Sequence, residues 1–126
     1  MSTIEIKYFT PNEAKKTLPL VKQIVSEIIY CGEELRSLVS NIGENADENV
    51  NVKSLIAKIN NYIPELEELG CYYKDWNFSI GLVDFPSVID GEEVMLCWKS
   101  DEPDIIHYHG LNDGFIGRKI IPEVYL

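Results

Sequence analysis

The run Gly81-Leu82-Val83-Asp84-Phe85-Pro86-Ser87-Val88-Ile89-Asp90-Gly91-Glu92-Glu93-Val94-Met95-Leu96-Cys97-Trp98 decides the fold. Two apolar segments meet at Asp90-Gly91, and a type I′ turn needs positive φ at both central residues, which this pair supplies at low cost. A two-residue loop sets the pairing: Ile89 opposes Glu92, Phe85 opposes Leu96, Asp84 opposes Cys97 and Val83 opposes Trp98. Side chains alternate across a strand, so Val83, Phe85, Val94, Leu96 and Trp98 share the face that must pack on something apolar. Leu82, Asp84, Met95, Cys97 and Lys99 share the other.

Downstream, a five-residue link from Lys99 to Pro103 leads into a third extended run. Hydrophobic consistency sends Ile106 and Tyr108 to the core face and His107 and His109 to the face of Asp84 and Cys97. Gly114-Phe115-Ile116-Gly117-Arg118 reads as a tight loop turning at the sheet edge, followed by one more short strand. Just upstream, Cys71 to Trp76 is a short strand or an irregular link.

Further upstream the period changes to helical. Thr10-Pro11-Asn12-Glu13 is a helix start: Thr caps, Pro takes the first helical position without needing an N–H, and Glu13 reaches back to the cap. Apolar residues at 14, 18, 21, 25, 28, 35 and 39, with Gly32 in the vacant slot, trace one long stripe, widened by Ile24, Ile29 and Leu38. Pro19 bends this helix without ending it, since the stripe resumes in phase. The polar stretch 40–51 is a loop. Val52, Leu55, Ile56, Ile59, Ile63 and Leu66 then define a second helix that ends at Gly70 and is interrupted by Pro64. Residues 3–9 alternate, with Ile4, Ile6 and Tyr8 on one side, as a strand that joins the later sheet. Helices first and strands second predict an α+β fold: a long antiparallel two-helix hairpin (10–70) packed on a small antiparallel sheet (71–126), in one domain.

The 126 residues are 45% hydrophobic and carry a formal charge of −10. Such a chain buries a real core, but it repels nucleic-acid backbones and anionic membrane surfaces. A small ligand or a basic protein suits it better as a partner. Three cysteines cannot all pair within one chain, no signal segment precedes a cleavage site, and no apolar run approaches the length of a spanning helix, so a cytoplasmic location is expected.

The order Tyr8-Phe9-Thr10-Pro11, Glu13-Ala14, Leu18-Pro19, Gly81 to Pro86, Leu96-Cys97-Trp98, Glu102, Tyr108-His109, Gly114-Phe115 and Gly117-Arg118 resembles the DUF2203 family over nearly the whole chain. The family pattern has Gly-Glu where this chain reads Asp101-Glu102, and Trp-His-Glu where it reads Tyr108-His109-Gly110. The resemblance implies a prokaryotic cytoplasmic protein with a helical hairpin and a small sheet. It implies no activity.

Asp84, Cys97, His107 and His109 form a ligand set suited to zinc or iron. Their spacing matches no metal motif, and histidines two apart on a strand are roughly 7 Å apart by strand rise. A buried polar network of the same residues competes with that reading. A nucleophilic Cys97 is disfavoured, because a mid-strand thiol lacks the helix N-terminus that lowers its pKa. Gly114 to Arg118 could present amides and a guanidinium to an anion, against which Arg118 could pair with Glu102 or Asp104 to brace the loops. Trp98, Phe115 and Tyr108 could frame a ligand pocket beside Asp84 and His109. Together these features favour a non-enzymatic binding or assembly module that self-associates as a homodimer through the hairpin. A metal-binding protein or metal-dependent enzyme is the first alternative, and an anion-binding regulatory module is the second.

Overall fold

Thr10 starts the first helix as its side chain demands: its hydroxyl accepts from the Glu13 amide at 3.1 Å, and its own amide donates to the Glu13 carboxylate at 3.0 Å. In the computed structural model, which describes residues 5–126, helix α1 runs from Pro11 to Ile42 and passes through Pro19. Pro19 sits on the exposed side, where the carbonyl it leaves without a donor can be hydrated. A short 3-10 turn at Ala46–Glu48 leads to helix α2, Val50–Leu69, whose first amides are capped by the Asn49 side chain. Gly70 ends α2 at φ +99°, and the Cys71 amide donates back to the Leu66 carbonyl at 3.1 Å.

Five strands follow: β1 Tyr72–Tyr73, β2 Leu82–Ile89, β3 Glu92–Lys99, β4 His107–Gly110 and β5 Lys119–Ile120. They form one antiparallel sheet in sequential order. Asp90 and Gly91 turn the β2–β3 hairpin at φ +55° and +78°. The expected register follows, from Ile89 opposite Glu92 to Leu82 opposite Lys99. Val83, Phe85, Val94, Leu96 and Trp98 are buried against Leu18, Val21, Val25 and Ile28 of α1 and Leu66 of α2 in one core. The architecture is therefore α+β, a two-helix hairpin against a five-stranded sheet. Among the described residues, no helix is long and apolar enough to cross a membrane.

Two expectations are corrected. Residues 5–9 form no strand, and positions 3 and 4 of that expected strand lie outside the described residues. The reason is Pro86: the Phe9 amide donates to the Pro86 carbonyl at 2.7 Å, but Pro86 has no N–H to return. The Ser87 hydroxyl takes that place and donates to the Phe9 carbonyl, so the pairing stops after one residue. Phe9 is buried edge-on against Phe85, whereas Ile6 and Tyr8 are exposed. Second, Ile105 and not Ile106 enters the core, because β4 begins only at His107 and the chain is still turning at Asp104, whose carboxylate takes the Ile105 amide at 2.7 Å.

Candidate metal centre

The outer face of the sheet, opposite the helices, carries Asp84 on β2 and Cys97 opposite it on β3. On β4, His107 is level with Cys97 and His109 with Met95. The register therefore puts all four candidate ligands on one face, and their side chains then divide into two groups.

Asp84, Cys97 and His109 converge. All three are buried, and one potential ligand atom from each lies within 4.8 Å of the others. His109 Nε2 is 3.1 Å from both Asp84 oxygens, and its Nδ1 is 2.8 Å from the Gly110 carbonyl. A carbonyl only accepts, so Nδ1 carries a proton and Nε2 is the nitrogen aimed into the cluster. The Cys97 thiol is pushed up to about 12, first by burial and then by the adjacent Asp84 charge. Without a cation the sulfur is a protonated, unreactive thiol; a nucleophilic role finds no support here.

His107 does not join this cluster. Its Nδ1 lies 2.8 Å from Arg118 Nη2 and 3.1 Å from the Glu102 carboxylate. Arg118 Nη2 also contacts both Glu102 oxygens and the Cys97 carbonyl. Glu102 further accepts from the Lys99 amide at 2.8 Å. This second group ties the C-terminal loop to the backbone of a metal-candidate strand. The Gly117 and Arg118 amides are turned toward the Gly114 and Phe115 carbonyls and Arg118 Nη2 contacts Glu102, whereas Arg118 Nε is buried without a hydrogen-bond partner.

Trp98 is in the core on the opposite face, its indole N–H donating to the Glu102 carbonyl at 2.9 Å. Phe115 stands on the outer face, under the Arg118 guanidinium and at the rim of a cavity of about 250 Å³ beside the triad. Lys74, Leu82, Leu111 and Gly114 also line this cavity. Sequence reasoning missed Lys74 and Leu111. Lys74 follows β1, two residues past Tyr72, which pairs opposite Asp84, and this brings it to the same face.

The family described as "Uncharacterized conserved protein (DUF2203)" matches residues 7–121. No curated protein and no solved structure matches the chain.

Proposed function

The chain belongs to the DUF2203 family, and from that premise we propose that it is a metal-binding domain in which Asp84, Cys97 and His109 hold a divalent cation of the zinc or iron type. One observation carries the reading: a carboxylate, a thiol and an imidazole, all buried, gathered within 4.8 Å on three adjacent strands. Ligand atoms around a tetrahedral cation lie ~3.5 Å apart, a closure that side-chain torsions can supply. The Gly110 carbonyl fixes the tautomer that leaves Nε2 as the ligand, as an outer hydrogen bond commonly does for metal-bound histidine. Charge also balances, since a thiolate and a carboxylate neutralise a divalent ion in a buried site. Three protein ligands would leave a tetrahedral ion one further position, and a cavity lies beside the triad.

The test is zinc titration of chelator-treated, untagged protein, read by elemental analysis and melting temperature. About one equivalent and a clear rise in melting temperature are expected, both lost in Cys97→Ser and His109→Ala. Uptake below ~0.2 equivalents with an unchanged melting temperature leaves only a buried polar network. Cytoplasmic location and self-association through the hairpin belong to the same reading. Exposed Leu20 and Tyr30 on α1 and Ile56 on α2 support the latter, and a monomer mass by light scattering at high concentration removes it.

A further inference from the structure

Side chains on the outer sheet face follow one another in rows. Asp84 and Cys97 form one row, Pro86 and Met95 the next, Val88 and Glu93 the one after. The row of Pro86 and Met95 floors a second, mostly apolar cavity of about 310 Å³, walled by Ile6, Tyr8 and Tyr72. Lys74 and Leu111 line both this cavity and the one at the triad. The two are therefore neighbouring compartments of one groove.

We propose that this groove binds a medium-chain monocarboxylate, its head on the cation held by the triad and beside Lys74, its alkyl body over Pro86, Met95 and Leu111. This rests on the metal reading and adds the class of ligand. Charge complementarity selects the head group. The chain as a whole carries −10 and should repel anions, but the head end of the groove reverses that locally. The cation and its two anionic ligands sum to zero there, and Lys74, which makes no ion pair among the described residues, adds one positive charge, while the groove's negative charge, Glu93, sits at the far end. The metal's fourth position supplies a specific partner for one carboxylate oxygen.

Apolar surface and length select the body. Beyond the triad and Lys74 the groove is lined mainly by Pro86, Met95, Leu111 and the Tyr72 ring, and among the described residues no cationic side chain lines its far end. The carboxylate at the far end, Glu93, already accepts from the Tyr8 hydroxyl at 2.5 Å, and it opposes a second negative group on the ligand. From the Asp84 row to the Glu93 row is roughly 13 Å at the rise of a strand, which matches an extended chain of medium length.

Octanoate titrated into zinc-loaded protein tests this, with acetate as a head-only probe and 1-octanol as a tail-only probe. Octanoate is expected to bind at least ~tenfold more tightly than either, because head and tail contribute together. Ile6→Asp, at an exposed position that lines the apolar cavity and not the one at the triad, should remove the advantage of octanoate over acetate while zinc stoichiometry stays at that of the unmodified protein. Lys74→Gln should weaken both carboxylates about fivefold and leave octanol unaffected. Octanoate binding no better than acetate, or binding unchanged by Ile6→Asp, overturns the inference and leaves the metal reading standing. Failure of the protein to take up zinc overturns the metal reading, and the proposed head-group site falls with it.

Discussion

His109 Nε2 lies 3.1 Å from each oxygen of Asp84, with both side chains buried. Nδ1 already donates to Gly110, so the Nε2–Asp84 contact is held by a proton that either partner can carry, and each side chain relies on the other to satisfy it. Asp84→Ala leaves a buried imidazole without that partner. A loss of about 2–4 kcal/mol by urea denaturation is expected, with Asp84→Asn, which keeps an acceptor oxygen, costing less than half as much. Equal stabilities of the alanine variant and the parent contradict this.

Glu102 and Arg118 are both largely withdrawn from water, with side chains 16% and 12% exposed. Removing one partner strands the other charge. Glu102→Ala and Arg118→Met should each destabilise by about 2–3 kcal/mol, and the double variant by about 1–3 kcal/mol less than their sum. Strict additivity in a double-mutant cycle shows that the pair does not brace the loop.

Gly81 is a close-approach position. A Cβ there would collide with Val25 Cγ1 and crowd Ser100 Cβ at 3.2 Å, where α1 crosses the start of β2. Gly81→Ala is expected to cost about 1–3 kcal/mol through displaced packing. Gly91→Ala, with nothing within 4 Å but φ +78°, should cost only about 1 kcal/mol. Thermal melts that reverse this order refute the assignment of the two glycines.

The Glu13 carboxyl is held below its usual value, first by the Thr10 amide and then by the Thr10 hydroxyl. A folded-state pKa below the unfolded one means stabilisation that is full above the unfolded value and lost as pH falls through the folded one. Glu13→Ala should therefore lower the melting temperature at pH 7, and the gap to the parent should close on acidification to about pH 3. A gap that stays constant with pH assigns the effect to helix propensity and not to the cap.

Much of this fold was legible because one turn propagates. Once Asp90 and Gly91 are assigned positive φ, alternation fixes which side chains of the hairpin meet and puts Asp84 opposite Cys97, while His109 reached the same face only through the hydrophobic consistency of the third run. What stayed hidden depends on groups distant in sequence. His107 shares the face, but its ring is claimed by Arg118 and Glu102, which no periodicity relates to it. Over its described part, 5–9, the expected strand failed on one missing amide, at a residue in another strand. Strand β1 spans two residues, too few to carry a pattern, so Lys74 was invisible beside the site.

Pro86 has a consequence reaching past the interior of the molecule. β1 pairs only with Val83 and Asp84 of β2, and beyond it that flank of the eight-residue strand is met by single bonds, from Lys74 to Leu82 and between Phe9 and Pro86–Ser87, and not by a continuous strand. Such flanks are templates on which foreign chains add and fibrils grow. A foreign strand laid along this one would meet a ring where it needs a donor, and a hydroxyl already committed to Phe9. The same imino acid that curtails the N-terminal pairing therefore guards the protein against polymerising through its own sheet.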